Sequence, residues 1–137
     1  MDAQEIFDTA VKHMAEQGQP AGRLNEYNDF VCEYRGNGNS RCAVGIFIPD
    51  EAYEAGMEGN DAQYLLETYG DLLPSWMSHN HSLLRDLQSA HDSMSNWYRP
   101  ASMRAALLKI ADQHDLNPDV IYEVEFPAIV KKVTEEV

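Results

Sequence analysis

The sequence predicts a single α+β domain over residues 1–137, a short antiparallel β-hairpin packed against three to four helices. Three observations predict it. Apolar residues recur at helical spacing in several segments. One stretch of β-formers is interrupted by Gly36-Asn37-Gly38-Asn39, a turn composition between two apolar runs. The length of 137 residues, with 44% hydrophobic and 24% charged residues, suits one ordinary core.

The first helix is predicted from Ala3, Ile6, Phe7, Ala10, Val11 and Met14, one continuous apolar stripe. Asp2 and Glu5 form a capping box at its start, and Gly18 with Pro20 ends it. Residues 19–27 read as a connection. The hairpin follows, with strands Phe30–Arg35 and Arg41–Ile48 and Cys32 roughly opposite Cys42. Gly45 marks a bulge or a close backbone approach, and Pro49 stops the second strand. Residues 50–60 read as a loop or broken helix because of Gly56 and Gly59.

Asp61–Tyr69 reads as a short helix stopped by Gly70, and Pro74 and Trp76 lie in a compact connection. A longer helix is expected from about Asn80 to Trp97, burying Leu83, Leu84, Leu87, Ala90, Met94 and Trp97. Pro100 suits the first turn of the next helix, which carries Met103, Ala106, Leu107, Ile110 and Ala111 inward and is broken by Asn117-Pro118. Val120–Val124 fits a third, edge strand or, alternatively, one helical turn. The terminal KKVTEEV is expected to be solvated or a short helix.

The N-terminal MDAQEIFDTAVKHM has no basic region and no long apolar run, so no signal peptide is expected, and no apolar stretch is long enough to span a bilayer. Two cysteines are too few for a disulfide framework and fit a reducing cytosol. Ten Lys+Arg against 23 Asp+Glu give a formal charge of −13, which disfavours direct binding to nucleic acid or to anionic membranes.

Zinc is the first chemistry to weigh, with Cys32, Cys42, His79, His81 and His91 as candidate ligands. Structural zinc usually takes tight Cys pairs, whereas nine residues separate these two. The simpler reading is a cross-strand pair of small buried thiols, with His79 and His81 exposed near a helix start. His91-Asp92 offers a base beside a carboxylate. Adjacent helical residues point about 100° apart, so a hydrogen-bonded core or boundary histidine is the plainer account. There is no nucleophile elbow, phosphate loop, zinc-protease motif or dinucleotide fingerprint, and the Gly36–Ser40 segment lacks the Lys and the helix a phosphate loop needs. No cofactor and no catalytic residue is assigned.

Charge distribution is the strongest functional signal. No Lys or Arg lies between Arg41 and Arg85, an interval holding Asp50, Glu51, Glu54, Glu58, Asp61, Glu67 and Asp71. Tyr53, Met57, Tyr64 and Trp76 are interleaved with them. Such a face steers a basic protein partner and in the extreme imitates the phosphates of DNA. A solvated acidic face that keeps the chain soluble is the alternative.

The run Cys32-x-Tyr34-Arg35-Gly36, then Cys42-Ala43-Val44-Gly45-x-x-Ile48-Pro49-Asp50-Glu51-x-Tyr53, then Met57-Glu58-Gly59, resembles a signature of small proteins encoded by tailed bacteriophages and prophages. Leu87-Gln88-x-x-His91-Asp92 is similar to a second element of the same proteins. Together they cover roughly residues 30–95. Asn39 stands where the pattern carries a turn Gly, a change Asn absorbs. The resemblance implies viral origin, an accessory role and the cytoplasm of an infected bacterium, and it carries no catalytic assignment. Physically the signature reads as scaffold: Arg35 pairs with Asp50 or Glu51 beneath the turn, and His91-Asp92 ties the long helix to the hairpin.

The sequence therefore favours an acidic accessory protein that binds a basic host bacterial protein, in host takeover or anti-defence. A small metal-dependent or acid–base enzyme and a virion assembly protein are the alternatives.

Overall fold

The computed structural model describes residues 1–129. Among them, seven helices surround one core, and a two-stranded antiparallel ribbon lies at its edge. Helix α1 spans Ala3–Gln17 and buries the predicted stripe Ile6, Phe7, Ala10, Val11 and Met14. Its capping box forms as expected, with the Asp2 side chain accepting from the Glu5 N–H and Glu5 accepting in return. Gly18 closes it in the left-handed conformation at φ 70°.

The ribbon sits earlier in the chain than the sequence predicts. Strand β1 is Gly22–Leu24, inside the expected connection, and pairs with β2, Phe30–Cys32. Gly22 lies opposite Cys32, so Cys32 is not the partner of Cys42. The turn is built by Asn25, whose side chain accepts from the N–H groups of Tyr27 and Asp29, and by Asn28 at φ 66°.

The expected second strand, Arg41–Ile48, contributes only an isolated bridge between Arg41 and Arg35. The Gly36–Asn39 turn does form between those two residues, with Gly38 and Asn39 at positive φ. Beyond Cys42 the chain coils into a tight turn, Gly45–Phe47. Cys42, Ala43 and Val44 are buried on successive residues, which a strand with one solvated face does not permit. Gly45 makes the close approach: a Cβ there would lie 2.1 Å from the Tyr34 carbonyl oxygen.

Residues 50–60 form a loop with one tight turn at Ala55–Met57. Helix α2, Ala62–Tyr69, is capped by Asp61, which accepts from the Tyr64 N–H. A short helix α3, Ser75–His79, occupies the predicted connection. The expected 80–97 helix is two, α4 (His81–Asp92) and α5 (Met94–Tyr98), broken where Ser93 turns extended. The break is held by side chains: Asn96 donates to the Ala90 carbonyl and the Trp97 indole to that of His91.

Helix α6, Pro100–Gln113, starts on its proline as predicted. Val120–Val124 resolves as a helical turn, α7 (Asp119–Glu123), because Val120 and Ile121 are both buried where a strand would alternate them. The KKVTEEV segment lies outside the described residues. Helix α4 touches α1, α2 and α6, so the core runs from Phe7 through Leu84 and Leu87 to Met103 and Leu107. Each fully buried side chain of that size contributes about 1.5–3 kcal/mol.

Candidate functional site

A cleft of about 320 Å³ opens where β2, the 58–62 segment and α4 meet. Cys32, Tyr34, Glu58, Asp61, Arg85 and Asp92 are among its walls. At its back lies a polar knot centred on Asp92, the last residue of α4. Gln88, one turn earlier, donates from Nε2 to Asp92 Oδ1 at 2.7 Å, and its Oε1 accepts the Val44 N–H at 3.1 Å. His91 Nδ1 lies 2.9 Å from the same Asp92 oxygen. His91 Nε2 accepts the Ala21 N–H at 3.0 Å. That backbone donor fixes the tautomer: the proton of the neutral ring is on Nδ1, and it is donated to Asp92. The Cys32 thiol lies beside the knot, its sulfur within 4.8 Å of the nearest ligand atoms of His91 and Asp92.

Adjacent helical positions do meet here, contrary to the expectation for His91 and Asp92. The helix ends at Asp92, and at a helix end the carboxylate is free to fold back over the preceding ring.

The partners of these groups decide their chemistry. In a thiol nucleophile the imidazole stands between thiol and carboxylate and takes the thiol proton. Here both imidazole nitrogens are engaged elsewhere, Nδ1 by Asp92 and Nε2 by the Ala21 N–H, so neither is free to take the thiol proton. Burial, and then the Asp92 charge, push the Cys32 thiol well above its ordinary range. Burial pushes Cys42 up to about 12. Both are protonated at neutral pH, the opposite of an activated cysteine.

The zinc reading meets two obstacles. Among the described residues, Cys32, His91 and Asp92 are the one cluster with ligand atoms all within 4.8 Å of one another. The structure does not bring Cys42, His79 or His81 into it; His79 and His81 are exposed at the α3–α4 junction, and Cys42 is buried against the Gly45 N–H. A metal-bound histidine normally donates its other ring N–H to an acceptor. The other nitrogen of His91 faces a donor instead.

The predicted acidic face separates into two kinds of residue. Asp50 is neutralised, 2.6 Å from Arg35 and 3.8 Å from Arg41, so of the two expected partners of Arg35, Asp50 and Glu51, it is Asp50 that pairs. Glu58 turns inward and accepts the N–H groups of Tyr34 and Arg35 at 2.8 and 3.1 Å and the Tyr53 hydroxyl at 2.6 Å. Met57 is fully buried, and Tyr53 lies under the Arg35 guanidinium, 4.3 Å from ring centroid to Cζ. These four serve the scaffold. Glu51, Glu54, Asp61, Glu67 and Asp71 are exposed, and no ion pair engages them among the described residues. Tyr64 and Leu72, 48% and 56% exposed, are the exposed large apolar side chains in the same stretch of chain, while Trp76 is edge-on to Phe47.

Sequence reasoning missed Gln88 as the organiser of the knot. Its signal was present, a Gln four residues before an Asp on a helix, the spacing that lets the two side chains meet. Compared with protein-family models, with curated proteins and with solved structures, the chain matches none.

Proposed function

We propose that this chain is a binding protein that docks a basic surface of a partner protein against the face carrying Glu51, Glu54, Asp61, Glu67 and Asp71. The observation that carries the reading is the exposure of these five carboxylates with no ion-pair partner among the described residues. Exposed charge without a partner accelerates encounter with an oppositely charged surface and selects against acidic ones. Tyr64 and Leu72 add apolar area that holds the partner once it has arrived. The resemblance to tailed-phage proteins supports a host bacterial protein as that partner, met in the cytoplasm. The protonated state of both thiols gives the enzyme alternative no support.

The test is capture from a bacterial lysate at low salt, run in parallel with wild type and with the quadruple variant Glu51→Lys, Glu54→Lys, Glu67→Lys, Asp71→Lys. Wild type is expected to retain a basic protein that elutes with salt, and the variant to lose it. Equal retention by both would overturn the reading.

A further inference from the structure

The Asp92 knot does more than hold the cleft's back wall together. His91 is fully buried, and its two ring nitrogens face opposite demands: Nε2 faces a donor, the Ala21 N–H, and Nδ1 faces an acceptor, Asp92. Only the neutral ring with its proton on Nδ1 meets both. When the ring takes up a proton from solvent, the new N–H bond forms at Nε2 and points at the Ala21 N–H. Two donors then oppose each other, and the bond to Ala21 is lost while the one to Asp92 remains.

Ala21 is the residue from which β1 departs. Its carbonyl also accepts the Glu33 N–H at 3.1 Å, so it fixes both legs of the ribbon. Beside this bond, Ala21 is buried in the core and Gly22 packs closely against Gly36, whereas the ligand atoms of Cys32 and Asp92 lie within 4.8 Å of each other and Glu33, among the described residues, pairs with Arg23 of the ribbon itself, at 3.4 Å. Leu24 and Tyr27 at the far end are 61% and 76% exposed. Val31, Cys32 and Glu33 of the ribbon form one wall of the cleft.

We infer that His91 is a proton-operated latch: its neutral form pins the 21–33 ribbon to α4 through Ala21, and its protonation releases the ribbon and opens that wall of the cleft. This goes beyond the acidic docking face and stands independently of it. The groups that bear on His91 are Asp92 on α4, His13 on α1, and the Cys32 thiol on β2, with the Trp97 ring of α5 edge-on at 5.7 Å between centroids. Among the described residues Asp92 is the one anion in contact, and its bond to Nδ1–H survives in both states, so the switch acts at Nε2 alone.

Hydrogen exchange of the intact chain tests it, at about pH 7.5 and about pH 5.5, the interval in which histidines change charge, after correction for intrinsic rates. Protection of the 21–33 peptides is expected to fall by about tenfold or more on acidification, beyond whatever smaller, global loss α1 and α6 share. His91→Gln offers a carbonyl oxygen to Ala21 and an amide N–H to Asp92 and does not titrate, so its ribbon is expected to keep its protection at both pH values. An equal loss in wild type and variant, no loss in wild type, or a loss in the ribbon no larger than that of α1 and α6 would overturn the latch. Nitrogen NMR of the wild-type His91 ring is the second measurement, independent of whether the variant folds. The Nδ1–H tautomer at neutral pH is expected. The Nε2–H tautomer would overturn the inference outright.

Discussion

Glu58 and Glu54 are the same residue type four positions apart, and the structure gives them opposite roles. Glu58 satisfies two backbone N–H groups and a tyrosine hydroxyl, so Glu58→Ala orphans three donors at the cleft. An unsatisfied buried donor costs roughly 1–3 kcal/mol, and partial access to water lowers the sum, giving an expected loss of about 3 kcal/mol. Glu54→Ala removes an exposed, unpaired side chain and is expected to change stability by less than about 0.5 kcal/mol. Urea denaturation midpoints of the two variants check the contrast. Burial, and then the hydrogen bond to Glu58, push the Tyr53 hydroxyl up to about 12, so it stays a donor throughout the neutral range. The thiols give a second residue-scale prediction. With Cys32 and Cys42 both raised, their thiolate fractions at about pH 8 are far below those of free cysteine, and alkylation of the folded chain is expected to be at least ~100-fold slower than in denaturant. A timed alkylation followed by mass spectrometry reads it; a fast Cys32 in the folded chain would contradict the engagement of both His91 nitrogens by partners other than the thiol.

At the scale of elements, α1 carries a pH dependence of its own. His13 donates from Nε2 to the Arg41 carbonyl at 2.7 Å, linking α1 to the turn that follows β2. Burial lowers its pKa from 6.5, the Arg41 carbonyl and Glu16 opposing and the charges of His91 and Arg41 assisting. A histidine lowered in the folded state binds fewer protons there than in the unfolded chain. Its contribution is therefore complete above about pH 6.5 and is lost as pH falls from that value toward the lower folded one. Wild type is expected to lose more stability between about pH 7 and pH 5 than His13→Gln, which keeps a donor and does not titrate; urea midpoints across that interval measure the difference. The helices were legible because their signals are local: the Ala3–Met14 stripe, the Asp2 and Asp61 caps, Gly18 and Pro100 all act within a turn or two of the chain. The ribbon was misplaced because two Asn-rich turns compete, Asn25–Asp29 and Gly36–Asn39, and both exist. Which of them carries paired strands depends on distant contacts. Gly45 must lie against Tyr34 and Cys42–Val44 must be buried all round, and that packing coils the second leg. The polar knot was half legible. Its His91–Asp92 dipeptide was visible, whereas the Ala21 N–H that fixes the ring's tautomer is seventy positions away and has no side-chain signature.

For the whole molecule, the excess of acid in the sequence does not translate residue by residue into a docking surface. Of the seven carboxylates between Arg41 and Arg85, folding uses Asp50 as an ion-pair partner and Glu58 as an internal acceptor, and Asp61 serves a cap while remaining exposed. What remains outward is Glu51, Glu54, Asp61, Glu67 and Asp71, on and around α2, with Tyr64 and Leu72 exposed in the same stretch of chain. No helix among the described residues is long and apolar enough to cross a membrane. Attraction between that face and a basic partner is long-ranged and therefore weakened by screening, whose length is about 10 Å at 0.1 M salt and about 3 Å at 1 M. The most direct measurement is the dissociation constant of the purified chain with its captured partner across a salt series, for wild type and for the quadruple lysine variant. Affinity that falls steeply with salt in wild type, and is weak at every salt concentration in the variant, is the predicted result. A wild-type affinity indifferent to salt, or a variant that binds as tightly, would contradict the account.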